Sequence, residues 1–427
     1  MNSDNNFGLL NKAEGAFFYF ITFQLLWVFW AGLPGANKLY MLSTAAMVIT
    51  ALLIYIDAKL QNKCRLVATS YLTLVWWSLI MVAAYSVVSE YTVHLKMNFL
   101  FWTMDSYSVF FVRMIILVLP CMIYVDLNEF KDTRFKQIVM LVILAVSAFF
   151  VLRVLRINPN AIRERNSMTN FGYENEMRGV PTYSVVYSFS MLFPVFIHKC
   201  RTSFGKSRLI YVISSIIMGY IIIVSQFATA LILAVTGSVV YLFSASKGKR
   251  RVLWLAFLIA FILLFAASDG FANIFSWLSE HVNGAWSKKL KDIAVSFSGG
   301  EDSGQISGRT SLYKESLHSF FKNPLFGMLL NPSADIGGHS TAVDVLAISG
   351  IFGFFPLALC IWQTFVRYDR VSCSLKENKP IIIACTIQFI ILLFSKNIIT
   401  STAVFFTYFA LIPLLIKMRE EPSDERS

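Results

Sequence analysis

The chain of 427 residues is 56% hydrophobic and only 15% charged, with a mean hydropathy of +0.63. A soluble domain carries roughly a quarter charged residues, so a soluble globular protein is excluded. The net charge of +12 does not point to nucleic acid, because most of the 37 Lys and Arg sit in short segments between apolar runs, where they orient a membrane protein.

Those runs are long enough to cross ~30 Å of hydrocarbon as helix, and a backbone in lipid must satisfy its own hydrogen bonds. The fold class is therefore all-α, a polytopic membrane protein with about twelve transmembrane helices. The spans are predicted at 16–33, 39–57, 66–88, 109–125, 138–152, 182–198, 209–225, 227–244, 252–268, 343–366, 380–395 and 398–416. The first is too long for a signal-peptide core, lacks a small-residue cleavage site and is followed at once by another span, so it reads as a retained helix. An even count places both termini on one side. The loops at 58–65, 126–137, 199–208, 245–251 and 367–379 are short and basic, which makes that side cytosolic.

The whole chain, 1–427, reads as a single membrane domain. Function is expected on the other side, where the loops are long enough to hold a site. These are 89–108, the Arg-rich loop 153–181 and the large loop 269–342. The six cysteines show neither a CxxC nor metal-like spacing, and none falls in an outer loop, so no disulfide is expected. Nor does the chain show an internal repeat, which argues against a transporter built from inverted halves.

Loop 153–181 holds Arg153, Arg156, Arg163, Arg165 and Arg178 and no Lys. The positive-inside tendency disfavours such a cluster outside. Arginine's rigid fork suits bidentate phosphate recognition, and a diphosphate at the membrane surface is the natural ligand. Arg153 and Arg156 equally suit snorkelling to headgroups at the end of a span. Arg113, about one turn inside span four, reads either as a functional intramembrane charge or as another snorkelling side chain. Glu174-Asn-Glu176 is a weak acidic pair, and among so many arginines no metal is expected. Lys396 reads as interfacial.

Within loop 269–342, residues 271–297 are predicted to form an amphipathic helix on the membrane surface. A Gly/Ser-rich linker, 298–308, follows. Apolar residues at Leu312, Tyr313, Leu317, Phe320 and Phe321 then form a helical stripe that opens at Arg309 and stops at Asn323-Pro324. A cation in a helix's first turn is electrostatically disfavoured, which favours a functional role for Arg309 over a solvated one. His339 stands in Gly337-Gly-His-Ser-Thr, where a neutral imidazole suits proton transfer from a hydroxyl near neutral pH. Asp344, five residues on, reads either as the group that orients it or as a plain helix-start acid. His94, His281 and His318 lack such a context.

Three stretches carry a resemblance: Gly308-Arg-Thr-Ser-Leu-Tyr, Lys322-Asn-Pro-Leu-Phe-Gly327, and Gly338-His-Ser continuing to Asp344-Val-Leu-Ala-Ile-Ser-Gly350-Ile-Phe-Gly353. Together they resemble the O-antigen polymerase and O-antigen ligase superfamily. The spacing from His339-Ser340 to Gly350 and Gly353 matches the ligase signature. The resemblance implies a glycosyltransferase of the bacterial inner membrane, acting at the periplasmic face on undecaprenyl-diphosphate-linked oligosaccharides without cofactor or metal. It implies that Arg309 and outer arginines, here Arg163, Arg165, Arg178 and Arg113, engage diphosphate, and that His339 activates the acceptor. A chain-length regulator is a further candidate partner beside the lipid bilayer. Ligases carry an Arg soon after the span that leads into Ser225-Gln226; here Phe227-Ala-Thr229 follows. Arg178-Gly-Val-Pro-Thr-Tyr and the Gly-Gly-His-Ser run look more like surface-polysaccharide polymerases. The favoured expectation is polymerase, with ligase and lipid-linked oligosaccharide flippase as alternatives.

Overall fold

The computed structural model describes residues 68–88, 96–99, 102–119, 121–122, 133–158, 160–162, 180, 182–203, 205–246, 276–282, 284–297, 305–330, 336–371, 378–399 and 401–417, with isolated positions at Thr22, Ala45, Ile49, Leu52 and Leu53. Predicted spans one, two and nine lie outside the described residues, apart from those isolated positions.

The predicted spans that fall within the described residues are helical. In chain order these are α1 (Ala68–Val88), α2 (Ser106–Arg113), α3 (Thr133–Ile157), α4 (Tyr183–Thr202), α5 (Gly205–Val224) and α6 (Ala228–Ala245). Helices α7 (Ala285–Phe297) and α8 (Gln305–Lys322) belong to the large loop. The series closes with α9 (Thr341–Val371), α10 (Lys379–Ser395), α11 (Thr402–Phe406) and α12 (Ile412–Lys417). Four stretches are long and apolar enough to cross a membrane: Ile138–Ile157, Ser207–Val224, Ala228–Ala245 and Thr341–Tyr368. Three shorter apolar helices, Leu72–Ser86, Lys379–Ser395 and Thr402–Ile416, accompany them. The helical membrane class stands on these; the number twelve does not rest on them. Against the all-α expectation, loop 89–108 contains a two-stranded antiparallel hairpin, β1 (Lys96–Phe99) with β2 (Trp102–Asp105), in which Phe99 pairs with Trp102.

Helix α4 is buried along nearly its whole length and packs against α5, α6 and α10. By contrast α5 exposes Leu209, Ile213, Ile216, Tyr220 and Ile223, as a lipid-facing helix does. Gln388 on α10 joins three helices, donating from Nε2 to Ser190 O on α4 (3.0 Å) and to Leu233 O on α6 (2.7 Å). Gly237 makes room for it, since a Cβ there would lie 2.2 Å from that nitrogen. Gln388→Met keeps the volume and removes both bonds, so it is expected to cost roughly 1 kcal/mol. The check is a small downward shift of the unfolding midpoint in detergent titration; a shift of several times that size would mean that the amide carries more than interhelical hydrogen bonds.

Two spans contain a π-helical turn, Met114–Val118 after α2 and Thr407–Leu411 between α11 and α12. A π turn loosens the regular ladder. In the second, a donor from α9 reaches each of two carbonyls: Arg367 Nη2 bonds Phe409 O (3.1 Å) and the Tyr368 hydroxyl bonds Tyr408 O. An aromatic cluster fills the adjoining core. Phe389 stacks on Tyr408 at 4.1 Å, and Trp77, Phe110 and Phe389 each meet Phe405.

Helix α9 is broken. Gly350 has φ +60 and ψ −159, which interrupts the helical run. The loop after α8 plugs the break: Ile351 N donates to Pro324 O (2.9 Å) and Phe352 N to Leu325 O (3.1 Å). These carbonyls satisfy backbone donors that the interruption would otherwise orphan. Both glycines of the contact, Gly327 (φ +57) and Gly350, need the left-handed region and have no space for a side chain. A Cβ on Gly327 would lie 2.3 Å from Ala347 O, and one on Gly350 2.4 Å from the Leu325 carbonyl carbon. At 1.5 Å per residue, Ile351–Val371 alone covers about 30 Å, the thickness of the hydrocarbon. The nine residues before the break are almost all buried in the bundle.

Candidate active site

The Gly337–Thr341 turn, just before α9, is tied down on every side. Thr341 N donates to Lys396 O (3.0 Å) and Thr341 Oγ1 to the same carbonyl (3.2 Å), while Ile398 N donates back to Thr341 Oγ1 (2.7 Å). Asn397 Nδ2 donates to Gly338 O (3.2 Å), and Ser340 Oγ to Leu393 O (3.2 Å). From α8, Ser316 Oγ accepts from Gly337 N (2.9 Å) and Tyr313 donates to Phe394 O (2.9 Å). From α4, the Tyr183 hydroxyl reaches Asn397 O (3.4 Å). His339 rides on this turn, half-buried, with Nε2 shielded from solvent. The turn fits α8 so closely that a Cβ on Gly337 would lie 2.0 Å from Leu312 O.

Asp344 is the hub. Its carboxylate is 2% exposed. Oδ1 accepts from Ser316 Oγ (2.8 Å) and Oδ2 from Ser340 N (3.1 Å). Ser340 in turn caps α9, with Val343 N donating to its Oγ (3.3 Å), so the pair forms a capping box displaced by one residue. Asp344 stands in the first turn of α9, as the helix-start reading has it. The carboxylate is engaged with the backbone of the turn and with α8, so it fixes where the imidazole sits by holding its support. Asp344→Ala strands two buried donors and is expected to cost about 2–4 kcal/mol; Asp344→Asn keeps an acceptor and should cost clearly less. Thermal midpoints of the purified protein in detergent check the order, and equal loss in both variants would mean that charge, not hydrogen bonding, is what the turn requires.

The predicted site residues divide by location. Arg309 lies in α8, but the helix starts at Gln305, so Arg309 occupies its second turn rather than opening it. It stands seven positions, about two turns of helix, before Ser316. Arg113 ends α2 where the π turn begins; it is half-buried, and its enclosed Nε has no hydrogen-bond partner among the described residues. Arg153 and Arg156 are exposed on the last turns of α3, as a snorkelling pair would be. Arg163, Arg165, Arg178, Glu174 and Glu176 lie outside the described residues. The amphipathic helix predicted at 271–297 is interrupted at Gly284 (φ +76), and Trp286, at the start of α7, donates to Ile223 O on α5 (3.2 Å). Sequence reasoning missed Ser316 and Asn397. Ser316 carried a signal, its two-turn spacing from Arg309; Asn397 carried none, because only folding brings the end of α10 beneath the turn.

Fold and site together define a class: a polytopic helical membrane protein whose polar side chains gather around one rigid turn at the predicted outer end of its bundle. Residues 213–358 match the family model described as O-antigen ligase. That stretch takes in most of α5, α6 to α8, the His339 turn and the Gly350 break, and it bears out the resemblance to the O-antigen polymerase and ligase superfamily. By length and composition the chain's described helices are those of a membrane protein. No curated protein matches it.

Proposed function

We propose that the chain is a surface-polysaccharide polymerase that transfers a growing glycan from undecaprenyl diphosphate to a hydroxyl of a new lipid-linked repeat unit. The observation that carries this reading is the His339 turn, which α4, α8 and α10 hold rigidly beside the helix bearing Arg309. In the reaction, the bond between the anomeric carbon and the diphosphate oxygen breaks and a bond to the acceptor oxygen forms. His339 takes the acceptor's proton. Arg309, with Arg163, Arg165, Arg178 and Arg113, holds the diphosphates and offsets the charge that develops on the leaving group. The reaction is placed at the periplasmic face of the inner membrane, with both termini cytosolic and a chain-length regulator as a candidate partner.

A ligase moving finished glycan to lipid A-core is the second reading, and the description of the matched family favours it. In support of polymerase, the α5–α6 turn after Ser225 offers Gln226 (φ +56) and Phe227, the latter packed against Tyr187, where ligases carry an arginine. Glycan gels from a strain lacking the gene separate the two. Core capped with a single unit, restored to a ladder by the wild-type gene, is the expected result. Bare core with polymer left on the carrier lipid would make it a ligase, and an unchanged ladder would overturn both.

A further inference from the structure

The plug that closes the Gly350 break carries the wrong side chains for a loop in water. Phe321, at the end of α8, and Leu325 and Leu330 in the plug are 70%, 64% and 67% exposed, with Phe326 exposed beside them. This apolar surface continues onto α9 just past the break, where Ile351 and Phe352 are exposed as well. The rings of Phe326 and Phe352 lie 5.5 Å apart. Soluble surfaces rarely gather large apolar side chains in this way.

Helix α8 leads into the plug with three faces. Buried Ser316 and Ser319 form the side that packs on the bundle, so the small polar residues point inward. Exposed Glu315, His318 and Lys322 make a charged stripe, and exposed Leu317 and Phe321 make an apolar one between that stripe and the bundle. Large apolar residues outside and serines inside invert the usual order, which suits a helix with oil on one flank.

The backbone of the plug is the second observation. Each carbonyl from Asn323 to Gly327 accepts from the protein's own main chain. Gly327 N donates to Asn323 O (2.7 Å), Ile351 N to Pro324 O and Phe352 N to Leu325 O, Leu329 N to Phe326 O (3.2 Å) and Leu330 N to Gly327 O (3.4 Å). A loop in water has no need of such closure, because water satisfies its carbonyls. Irregular backbone at membrane depth must have it.

We propose that the plug and the Phe321 flank of α8 are seated in the hydrocarbon of the bilayer, with their exposed face covered by the acyl chains of ordinary lipid. The continuity with Ile351 and Phe352 selects this occupant, since those residues belong to a candidate membrane span. Lys322 lies beside the seat, where its long stem can run along apolar surface and hold its ammonium among headgroup phosphates. The sequence reading leaves all of 269–342 outside the membrane; the proposal moves 323–330 into it. The seat fixes the height of α8, and the bond from Gly337 N to Ser316 Oγ passes that height to the His339 turn.

The test uses the full-length protein in nanodiscs wide enough for two copies, with a fluorescent amino acid at Leu325, at Leu330 or, as the control, at Glu315. Phosphatidylcholine brominated on its acyl chains should dim the first two by more than half and spare the third, and aqueous iodide should do the reverse. Iodide quenching at Leu325 and Leu330 would put the plug in water and overturn the proposal. Quenching by neither agent would mean that protein, such as a second copy of this chain, covers the face, and would overturn it equally. If the fluorescent variants fail to accumulate, Leu330→Cys and Glu315→Cys replace them, with the parent protein as background. A charged maleimide should then modify the first at least tenfold more slowly, and equal rates would overturn the proposal. Neither readout needs turnover, so the result stands apart from the transferase reading.

Discussion

His339→Ala is expected to abolish polymer while leaving as much protein in the membrane as wild type. The two halves of this expectation have separate causes. Protein level should hold because the turn is fastened by its neighbours: Gly337 N, Gly338 O, Ser340 and Thr341 make the bonds to Ser316, Asn397, Leu393 and Lys396. None of these uses the imidazole. Activity should fall because removal of a general base costs about 10²–10⁴ in rate, enough to empty a ladder that needs many successive transfers. Immunoblots of membranes beside glycan gels measure both. A normal ladder from His339→Ala would remove the imidazole from the mechanism. Loss of protein along with the ladder would make His339 a structural residue.

Gly350→Ala should do the opposite and remove the protein itself. A left-handed backbone costs an L-residue roughly 1–2 kcal/mol, and overpacking adds about 1–3 kcal/mol. The new Cβ pushes directly on the Leu325 backbone, so the plug must withdraw and leave Ile351 N and Phe352 N without acceptors, at about 1–3 kcal/mol for each buried group. The sum approaches the whole stability of an ordinary domain. Gly338→Ala is the matched control. Its φ is +66, yet nothing lies within 4 Å of the added methyl, so only the backbone term applies and the protein should accumulate. Fluorescence-detected size exclusion of tagged variants reads the difference. Equal, near-normal peaks would show that the break tolerates a side chain and that the plug is not locked.

The sequence disclosed the helical membrane class because lipid permits so few backbone solutions. It disclosed the turn that carries His339 because two glycines precede it and the three stretches around it carry the resemblance. It did not disclose the break in α9. Hydropathy reads 343–366 as one apolar run, and Gly350 looks like any other small residue in a membrane helix. Asn323-Pro324 announced the end of α8, but that the Pro324 and Leu325 carbonyls cap a helix more than twenty residues later depends on the fold. The hairpin at 96–105 was hidden because its pairing is non-helical backbone in a short segment without a two-residue periodicity strong enough to notice. Ser316 and Asp344 are ordinary helix residues until the turn is laid between them, and Arg113 gives no hint of the π turn that follows it.

The Gly350 break divides one apolar run into two parts. Hydropathy alone reads Thr341–Tyr368 as a single candidate span, and the joint inside it is set by a backbone angle. The nine residues ahead of the joint form a ledge that the bundle encloses on nearly every side, dry enough to bury Asp344 and firm enough to carry a histidine.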